Sequence, residues 1–383
     1  MKRIGIITLV NVNNYGAELQ AFATQYSLQK MGFDAEIIDY PYFINSRHKK
    51  TKGSKPKFKM PLKLKLIVML YPLLQWYKKI KQDKSIRLRR EENFKSFHNR
   101  NTKFSCEYQT AESLVSSKDD YDVFVVGSDQ VWNPNNYTSL DPYFLKFVPD
   151  GKRKISYASS FGVGVLPEHT RNYYKEALRR LDAISVREEN AVQLVKEISG
   201  VEAQWVLDPT LLLSGDEWKQ YSKEITGLPE NFVLIYEVTP CDYVKHLALS
   251  VAEELGCQVV RINCDANRCE NDDEVINVLD AGPAEFVWLF SQAKIVVTNS
   301  FHGTAFSLNM QKDFFVVSPE RKQNNSRQKS LLRLVNMEDR LIVEGSQMPK
   351  QDFFIIDYTK VNPLLEVARE KSKNYLINAI YGE

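Results

Sequence analysis

The chain has 383 residues, of which 43% are hydrophobic and 26% charged, and its formal net charge is +3. These values are typical of a soluble globular protein with room for two domains. No stretch approaches about 18 consecutive apolar residues, so we expect no transmembrane helix. The five cysteines are scattered and form no CxxC pair. This distribution excludes a clustered zinc site and is typical of a reduced, cytoplasmic protein.

Strand and helix patterns alternate along almost the whole chain. Short apolar runs predict strands at residues 2–9, 35–40, 121–126, 154–158, 183–186, 204–207, 232–237, 258–262, 294–298 and 314–317. Apolar residues at helical spacing predict helices at residues 17–30, 166–181, 189–198, 243–255, 284–291, 303–310, 327–335 and 362–380. Such alternation indicates an α/β fold with parallel sheets covered by helices on both faces. We predict two doubly wound, Rossmann-like domains, residues 1–215 and 216–360, followed by a C-terminal helix at 361–383 that crosses back to the first domain.

A basic insertion interrupts the first domain at residues 47–103. It contains 19 Lys and Arg against three acids, which leaves the rest of the chain at a net charge of −13. An apolar segment, residues 62–77, lies inside it, and a helix is predicted after Ser85. One interpretation is contact with an anionic membrane surface. The other is a solvated insertion whose apolar part packs on its own domain. Nucleic acid is not expected as a partner, because no nucleic-acid motif accompanies the charge.

Polar residues stand where the predicted strands end. In open parallel sheets, ligands bind at the carboxyl ends of the strands. Gly16 and Gly303 lie near the start of helices, whose free N–H groups favour anions. Arg187 and Arg327 offer guanidinium groups suited to bidentate contacts with oxyanions. These loops therefore indicate a site that handles phosphate or carboxylate groups.

Two residues in these loops are candidates for proton transfer. His302 could transfer a proton near neutral pH or bind phosphate, and Asp129 is a candidate base. Structural interpretations stay open: His302 as a hydrogen-bonded core residue and Asp129 as a turn former. The same holds for an Arg187–Glu188 surface ion pair and for a turn at Asp208. Motifs of P-loop, GxSxG, HExxH and GxGxxG type do not occur in the sequence.

Taken together, six stretches resemble the polysaccharide pyruvyl transferase family. They occur in the family's order and are NYGAELQAFA (14–23), VGSDQVWNP (126–134), SYASSFG (156–162), SVREENA (185–191), VLDPTLL (206–212) and TNSFHGTAFSL (298–308). The resemblance implies a two-domain fold similar to GT-B glycosyltransferases, with the active site in the cleft between domains. Members of the family move the enolpyruvyl group of phosphoenolpyruvate onto a sugar, usually as a cyclic pyruvate ketal.

The resemblance also implies roles for individual residues. The catalytic residues are expected to be His302 and Asp129. The donor is expected to contact residues Arg187, Asn299, Ser300, His302, Gly303 and Arg327. The acceptor or the cleft is expected to involve residues Asn14, Tyr15, Gly16, Ser128, Gln130 and Trp132. No cofactor or metal is expected. The chain departs from the family at Ser300, where many members carry the Arg of an R-x-H motif; Arg321 or Arg327 could supply that charge.

We expect a pyruvyltransferase of surface-polysaccharide assembly, acting on exopolysaccharide, capsule or a lipid-linked precursor. The first domain would take the acceptor, for example an undecaprenyl-diphosphate-linked oligosaccharide, and the second domain would take phosphoenolpyruvate. The protein would be cytoplasmic and peripheral on the inner face of the membrane through residues 47–103. Two alternatives stay open: a GT-B glycosyltransferase that uses a nucleotide sugar, and a relative that only binds glycan or serves as a scaffold.

Overall fold

The computed structural model of the chain describes residues 1–40, 84–136, 139–262, 273–318, 325–347 and 349–382. Most of the predicted basic insertion, residues 47–83, lies outside these ranges, and so does Arg321. The described residues divide into two compact units. The first unit contains residues 1–40, 98–212 and 368–382, and the second contains residues 84–97 and 213–367 with the gaps given above. Each unit is therefore assembled from separate stretches of the chain.

The first unit is built on a parallel sheet that has five strands in the described residues. They are β1 (Arg3–Ile7), β2 (Asp34–Asp39), β3 (Phe104–Glu107), β4 (Val123–Val126) and β5 (Arg153–Ser156). The spatial order is β3-β2-β1-β4-β5, so the order reverses between β1 and β4. Two short strands, β6 (Ser185–Val186) and β7 (Gln204–Trp205), pair with each other beside β5. In doubly wound folds the ligand crevice lies at the carboxyl ends of the strands where the order reverses.

The second unit repeats this plan with six parallel strands in its described part. They are β8 (Phe232–Tyr236), β9 (Gln258–Ile262), β10 (Val275–Val278), β11 (Ile295–Thr298), β12 (Asp313–Ser318) and β13 (Leu341–Val343). The spatial order is β10-β9-β8-β11-β12-β13, and it reverses between β8 and β11. The loops after β8 and β11 therefore flank the switch point of this sheet.

Helices follow most of the strands. They are α1 (Tyr15–Lys30), α2 (Lys84–Asn101), α3 (Arg171–Leu178), α4 (Glu189–Ser199), α5 (Gly215–Lys219), α6 (Asp242–Leu255), α7 (Pro283–Gln292), α8 (Phe301–Asn309), α9 (Ser326–Leu334) and α10 (Tyr358–Tyr381). Helix α1 begins where the Asn14 side chain accepts a hydrogen bond from Ala17 N at 3.1 Å. Helix α4 ends at Gly200, whose φ of 73° is the left-handed conformation common at helix C-termini.

The central strands are apolar because helices cover both faces of each sheet. All residues of β4, β8 and β11 are buried. Separate clusters of buried side chains fill the two units, one including Ile7, Phe124 and Trp132, the other Val233 and Val297. The predicted α/β fold with two doubly wound, Rossmann-like halves is confirmed. None of the helices in the described ranges is long and apolar enough to cross a bilayer.

Candidate functional site

The loop after β4 carries the GSDQ stretch and packs against the loop after β5. The Gly127–Ser128 peptide bond is cis, and Asp129 has a φ of 60°. Ser160 N donates to Asp129 O at 3.0 Å, and Trp132 N donates to Ser160 O at 3.1 Å. Gly162 has a φ of 64°, in the left-handed region that favours glycine, and a Cβ atom added there would lie 2.2 Å from Gln130 Oε1. The two loops therefore form one packed unit at the carboxyl edge of the sheet.

Three carboxylates surround one guanidinium group beneath this loop. Arg187, which follows β6, places Nη1 3.0 Å from Asp208 Oδ2 and Nη2 3.5 Å from Asp129 Oδ1. Its Nε lies 3.6 Å from Glu188 Oε1. The side chains of Arg187 and Asp208 are 1% and 0% exposed, whereas that of Asp129 is 15% exposed. Asp129 is therefore the carboxylate of this cluster that is most open to a ligand.

The charge of Arg187 is committed to these carboxylates. Burial opposes its charged form, but the attraction of Asp208, Glu188 and Asp129 outweighs burial and raises the pKa of the Arg187 guanidinium. With three acids and one base, the cluster carries a net negative charge when all four groups are ionised. Direct binding of a donor anion by Arg187, as the family resemblance implied, does not fit this environment. The Arg187 side chain is only 1% exposed, and the three carboxylates around it would repel an anionic ligand.

Ser128 ties the cluster to helix α1. Its N–H donates to Gln20 Oε1 at 3.0 Å, and Gln20 Nε2 donates to Thr8 Oγ1 at 2.8 Å. Its hydroxyl oxygen lies 3.1 Å from Asp208 Oδ2 and 2.9 Å from Ala158 O. Ser128 is fully buried. Its predicted acceptor contact is thus replaced by a structural role, in which it holds the Asp129 loop in place.

Sequence reasoning left two members of the cluster out of the predicted site. The sequence predicts a turn at Asp208, and Asp208 Oδ1 does accept hydrogen bonds from Thr210 N at 3.0 Å and Thr210 Oγ1 at 2.8 Å. Its other oxygen, however, faces Arg187. Glu188 accepts a hydrogen bond from Ser160 Oγ and is buried, so its pair with Arg187 is not at the surface. Their position at strand ends was the signal that could have identified both.

The remaining acceptor-side predictions separate by exposure. Asn14 is exposed and caps α1, and Gln130 is half-buried. Tyr15 and Gly16 are buried within the first turn of α1. Trp132 is fully buried; its Nε1 donates to Tyr143 O at 2.8 Å, and its ring stacks on Phe144 with centroids 5.2 Å apart. Trp132 therefore packs in the core beneath the loop and offers an acceptor no surface.

In the second unit, the loop after β11 is fastened to the loop after β8. Asn299 Oδ1 accepts from Val238 N at 2.9 Å, and its Nδ2 donates to Thr239 O. Ser300 caps helix α8, since its side chain accepts a hydrogen bond from Gly303 N at 3.3 Å. A Cβ atom at Gly303 would lie 2.2 Å from Thr298 Oγ1. These predicted donor-side residues are close together, and they use their polar groups to build the strand-to-helix turn.

His302 and Arg327 belong to two neighbouring helix starts in this unit. His302 lies in the first turn of α8 and is 8% exposed. Gln328 of α9 donates from Nε2 to Asn299 O at 3.2 Å, which brings the start of α9 to the same loop. Arg327, beside Gln328, is half-buried. The start of α9 therefore lies at the same loop as the start of α8, and helix N-termini favour anions.

The described residues contain no group of three or more His, Cys, Asp or Glu side chains placed to hold a metal ion. In the first unit, the cation among the carboxylates is Arg187 itself. In this cluster, Asp129 is the carboxylate that a polar ligand can approach, because its side chain is 15% exposed. The second unit can accommodate phosphate or carboxylate at its helix N-termini.

A sequence model of the family described as polysaccharide pyruvyl transferase matches residues 14–321 of the chain. A search of curated proteins finds no match. Among solved structures, the chain is similar to the UDP-GlcNAc 2-epimerase from Neisseria meningitidis bound to UDP-GlcNAc, with 10% identity, full coverage of both chains and a TM-score of 0.49. It is also similar to the Methanocaldococcus jannaschii UDP-GlcNAc 2-epimerase in complex with UDP-GlcNAc and UDP, with 12% identity, full coverage of both chains and a TM-score of 0.49. A third similar structure is Acinetobacter baumannii MurG, with 9% identity, full coverage of both chains and a TM-score of 0.45.

Proposed function

Because this chain belongs to the polysaccharide pyruvyl transferase family, we propose that it transfers the enolpyruvyl group of phosphoenolpyruvate to a sugar of a surface-polysaccharide precursor. The product is a cyclic pyruvate ketal across two hydroxyl groups of that sugar. The observation that carries the proposal is the family match, which spans residues 14–321. It includes the Arg187 cluster and the loop from Asn299 to Gly303, and it ends before Arg327.

The chemistry follows from the donor. Protonation of the methylene carbon of phosphoenolpyruvate makes its C2 electrophilic, and a sugar hydroxyl attacks C2 and loses its proton. The C2–O bond to phosphate then breaks, phosphate leaves with the electron pair, and a second hydroxyl adds to C2 and loses its proton. One proton has gone to the methyl group and the other leaves with phosphate as hydrogen phosphate. The enzyme must therefore supply a base, an acid and cationic contacts for the donor.

The two clusters divide these tasks by charge. Asp129 is the base for the attacking hydroxyl, because it is the most exposed of the Arg187-linked carboxylates. The net negative charge around it favours neutral hydroxyl groups over anions. Phosphate and carboxylate of the donor are better matched to the starts of α8 and α9, with His302 and Arg327. His302 binds the phosphate or protonates the methylene carbon.

The departure at Ser300 fits this assignment of the donor. The Ser300 hydroxyl caps α8 and carries no positive charge, so another residue must provide the cationic contact for the donor. Arg327 lies one residue before Gln328, which contacts the same loop. We propose that Arg327 supplies the cationic contact that many family members place two residues before the histidine.

A thermal-shift experiment with phosphoenolpyruvate tests the proposal. A ligand at 100 times its dissociation constant stabilises a protein by roughly 2.7 kcal/mol, which is readily measured. We expect stabilisation by phosphoenolpyruvate beyond that given by equal concentrations of inorganic phosphate. The extra stabilisation should disappear in His302→Ala and persist in His246→Ala, a control on the exposed side of α6 in the same unit.

Two other outcomes would contradict pyruvyl transfer. Stabilisation by UDP or a UDP-sugar but not by phosphoenolpyruvate would favour a glycosyltransferase. No stabilisation by any of them, together with unchanged glycan binding in His302→Ala, would favour a relative that binds glycan without catalysis.

We also propose that the acceptor is lipid-linked and that the protein lies on the inner membrane face. The support is the basic composition of residues 47–103, which suits an anionic lipid surface. Helix α2, the described end of this segment, exposes Lys84, Leu88 and Lys95. The protein should pellet with vesicles containing phosphatidylglycerol at low salt and be released at about 1 M salt, where charges are screened within roughly 3 Å. Equal pelleting with pure phosphatidylcholine vesicles would contradict the proposed binding to an anionic lipid surface.

A further inference from the structure

The Asp129 carboxylate sits on a loop that needs outside support. Its backbone has a φ of 60°, in the left-handed region that few non-glycine residues adopt. Its carbonyl oxygen is engaged by Val131 N at 2.8 Å and Ser160 N at 3.0 Å. These bonds set the path of the backbone. The orientation of the carboxylate depends on the contacts of the side chain, and Asp129 Oδ1 contacts Arg187 Nη2 at 3.5 Å.

We propose that Asp208 and Arg187 are positioning residues that hold the Asp129 carboxylate in its working orientation. Neither of the two reaches a ligand, because their side chains are 0% and 1% exposed. Their effect passes through contacts to Asp129, which is 15% exposed. The role of Asp129 as a base rests on the proposed function. The orientation of Asp129 by Asp208 and Arg187 is independent of that function.

Asp208 is the fixed end of this chain of contacts. Its Oδ1 accepts two hydrogen bonds from Thr210 in its own turn. Its Oδ2 faces Arg187 Nη1 at 3.0 Å and the Ser128 hydroxyl oxygen at 3.1 Å. All four contacts are buried, where charge-assisted hydrogen bonds are strong and geometrically specific. Asp208 therefore cannot turn without breaking several of them.

Arg187 transmits this rigidity to Asp129. The planar guanidinium directs Nη1 to Asp208 and Nη2 to Asp129, so orienting one end orients the other. Ser128 adds a second path, because it contacts Asp208 and precedes Asp129 in the chain. The ionisable groups facing the guanidinium come from three loops: Asp129 after β4, Glu188 at the start of α4, and Asp208 after β7. Asp208 is the one among them with contacts to both Arg187 and Ser128.

Carboxyl-carbon NMR on protein with ¹³C-labelled aspartate tests this coupling without any substrate. The Asp129 resonance is identified by its loss in Asp129→Asn. In Asp208→Asn, Arg187 keeps its charge but loses its charged partner at Nη1. The Asp129 resonance should therefore broaden, because its carboxylate then exchanges between several orientations. Asp208→Glu restores the charged partner and should restore most of the original line width.

The matched control is Asp141→Asn, which removes a carboxylate that pairs with Lys146 at 3.0 Å in the same unit. It should leave the Asp129 line width unchanged. An Asp129 resonance that stays sharp in folded Asp208→Asn would overturn the proposal, because the carboxylate would then keep its orientation without Asp208.

A second measurement covers the case in which Asp208→Asn does not fold. In the wild type, the Arg187 guanidinium should give ¹⁵Nη signals with slow rotation, because both ends are held. Asp129→Asn should speed that rotation at least several-fold. Unaltered rotation would show that Arg187 does not hold Asp129, and would overturn the proposal as well. Neither measurement uses phosphoenolpyruvate, so failure here is distinguishable from failure of the proposed function.

Discussion

Arg187→Met should lower the free energy of unfolding by about 3–5 kcal/mol, the cost of breaking a buried ion pair by removing one partner. Methionine is similar in length but carries no charge. Asp129, Glu188 and Asp208 would then face one another without a cation. Urea denaturation at neutral pH measures the effect.

The loss should depend on pH in a defined direction. In the variant, the three ionised carboxylates repel one another. Protonation of a carboxylate removes its charge and therefore reduces this repulsion. Because protonation removes the charges that Arg187 compensates, the stability difference between wild type and variant should narrow as the pH falls towards about 4. A difference that is constant with pH would indicate lost packing as the cause.

Arg171→Met is the matched control for this experiment. Arg171 makes a surface pair with Glu168 at 3.7 Å, in which the Glu168 side chain is 92% exposed. Such pairs contribute about 0–1 kcal/mol. If Arg187→Met destabilised no more than Arg171→Met, the cluster would not be an energetically coupled unit.

Asp129→Asn should reduce transfer from phosphoenolpyruvate by about 10²–10⁴-fold, the usual contribution of a general base. Asparagine keeps the size of the side chain but carries no charge and cannot accept a proton from a hydroxyl. Phosphate release in the presence of a sugar acceptor that supports turnover measures the rate.

Binding of the donor separates this role from a general loss of structure. Asp129→Asn should keep the thermal stabilisation by phosphoenolpyruvate, since the donor contacts are assigned to His302 and Arg327. Asp150→Asn, at a position whose side chain is 91% exposed in the same unit, should keep full activity. A rate in Asp129→Asn within a few-fold of wild type would exclude Asp129 as the base.

The central strands were predictable from sequence, whereas three of the four edge strands of the two large sheets were not. Strands β1, β4, β8 and β11 lie in the middle of their sheets and read as continuous apolar runs. Strands β3, β10 and β13 were missed, and all three lie at sheet edges. The burial of β3 and β13 is only partial, and β10 has two half-buried residues in its middle. An edge strand packs less completely, so its sequence need not be apolar.

The position of the site was also predictable, but the partners of its residues were not. Loops at the carboxyl ends of parallel strands were identified from sequence, and the structure brings Ser128, Asp129 and Arg187 together as one cluster. From the sequence, the Arg187 guanidinium was expected to bind an anion of the donor substrate. In the structure it contacts carboxylates of this chain instead. Trp132 shows the same limit, because an aromatic residue in a polar loop can face a ligand or the core.

The sequence by itself determined the alternation of strand and helix, the loops at the strand ends and the resemblance to one enzyme family, because these depend on local patterns of residue type. The tertiary structure decided which charges meet. Arg187 reaches Asp208 across 21 positions and Asp129 across 58 positions of the chain. Only folding removes water from such groups, and burial is what turns four separate charges into one coupled cluster.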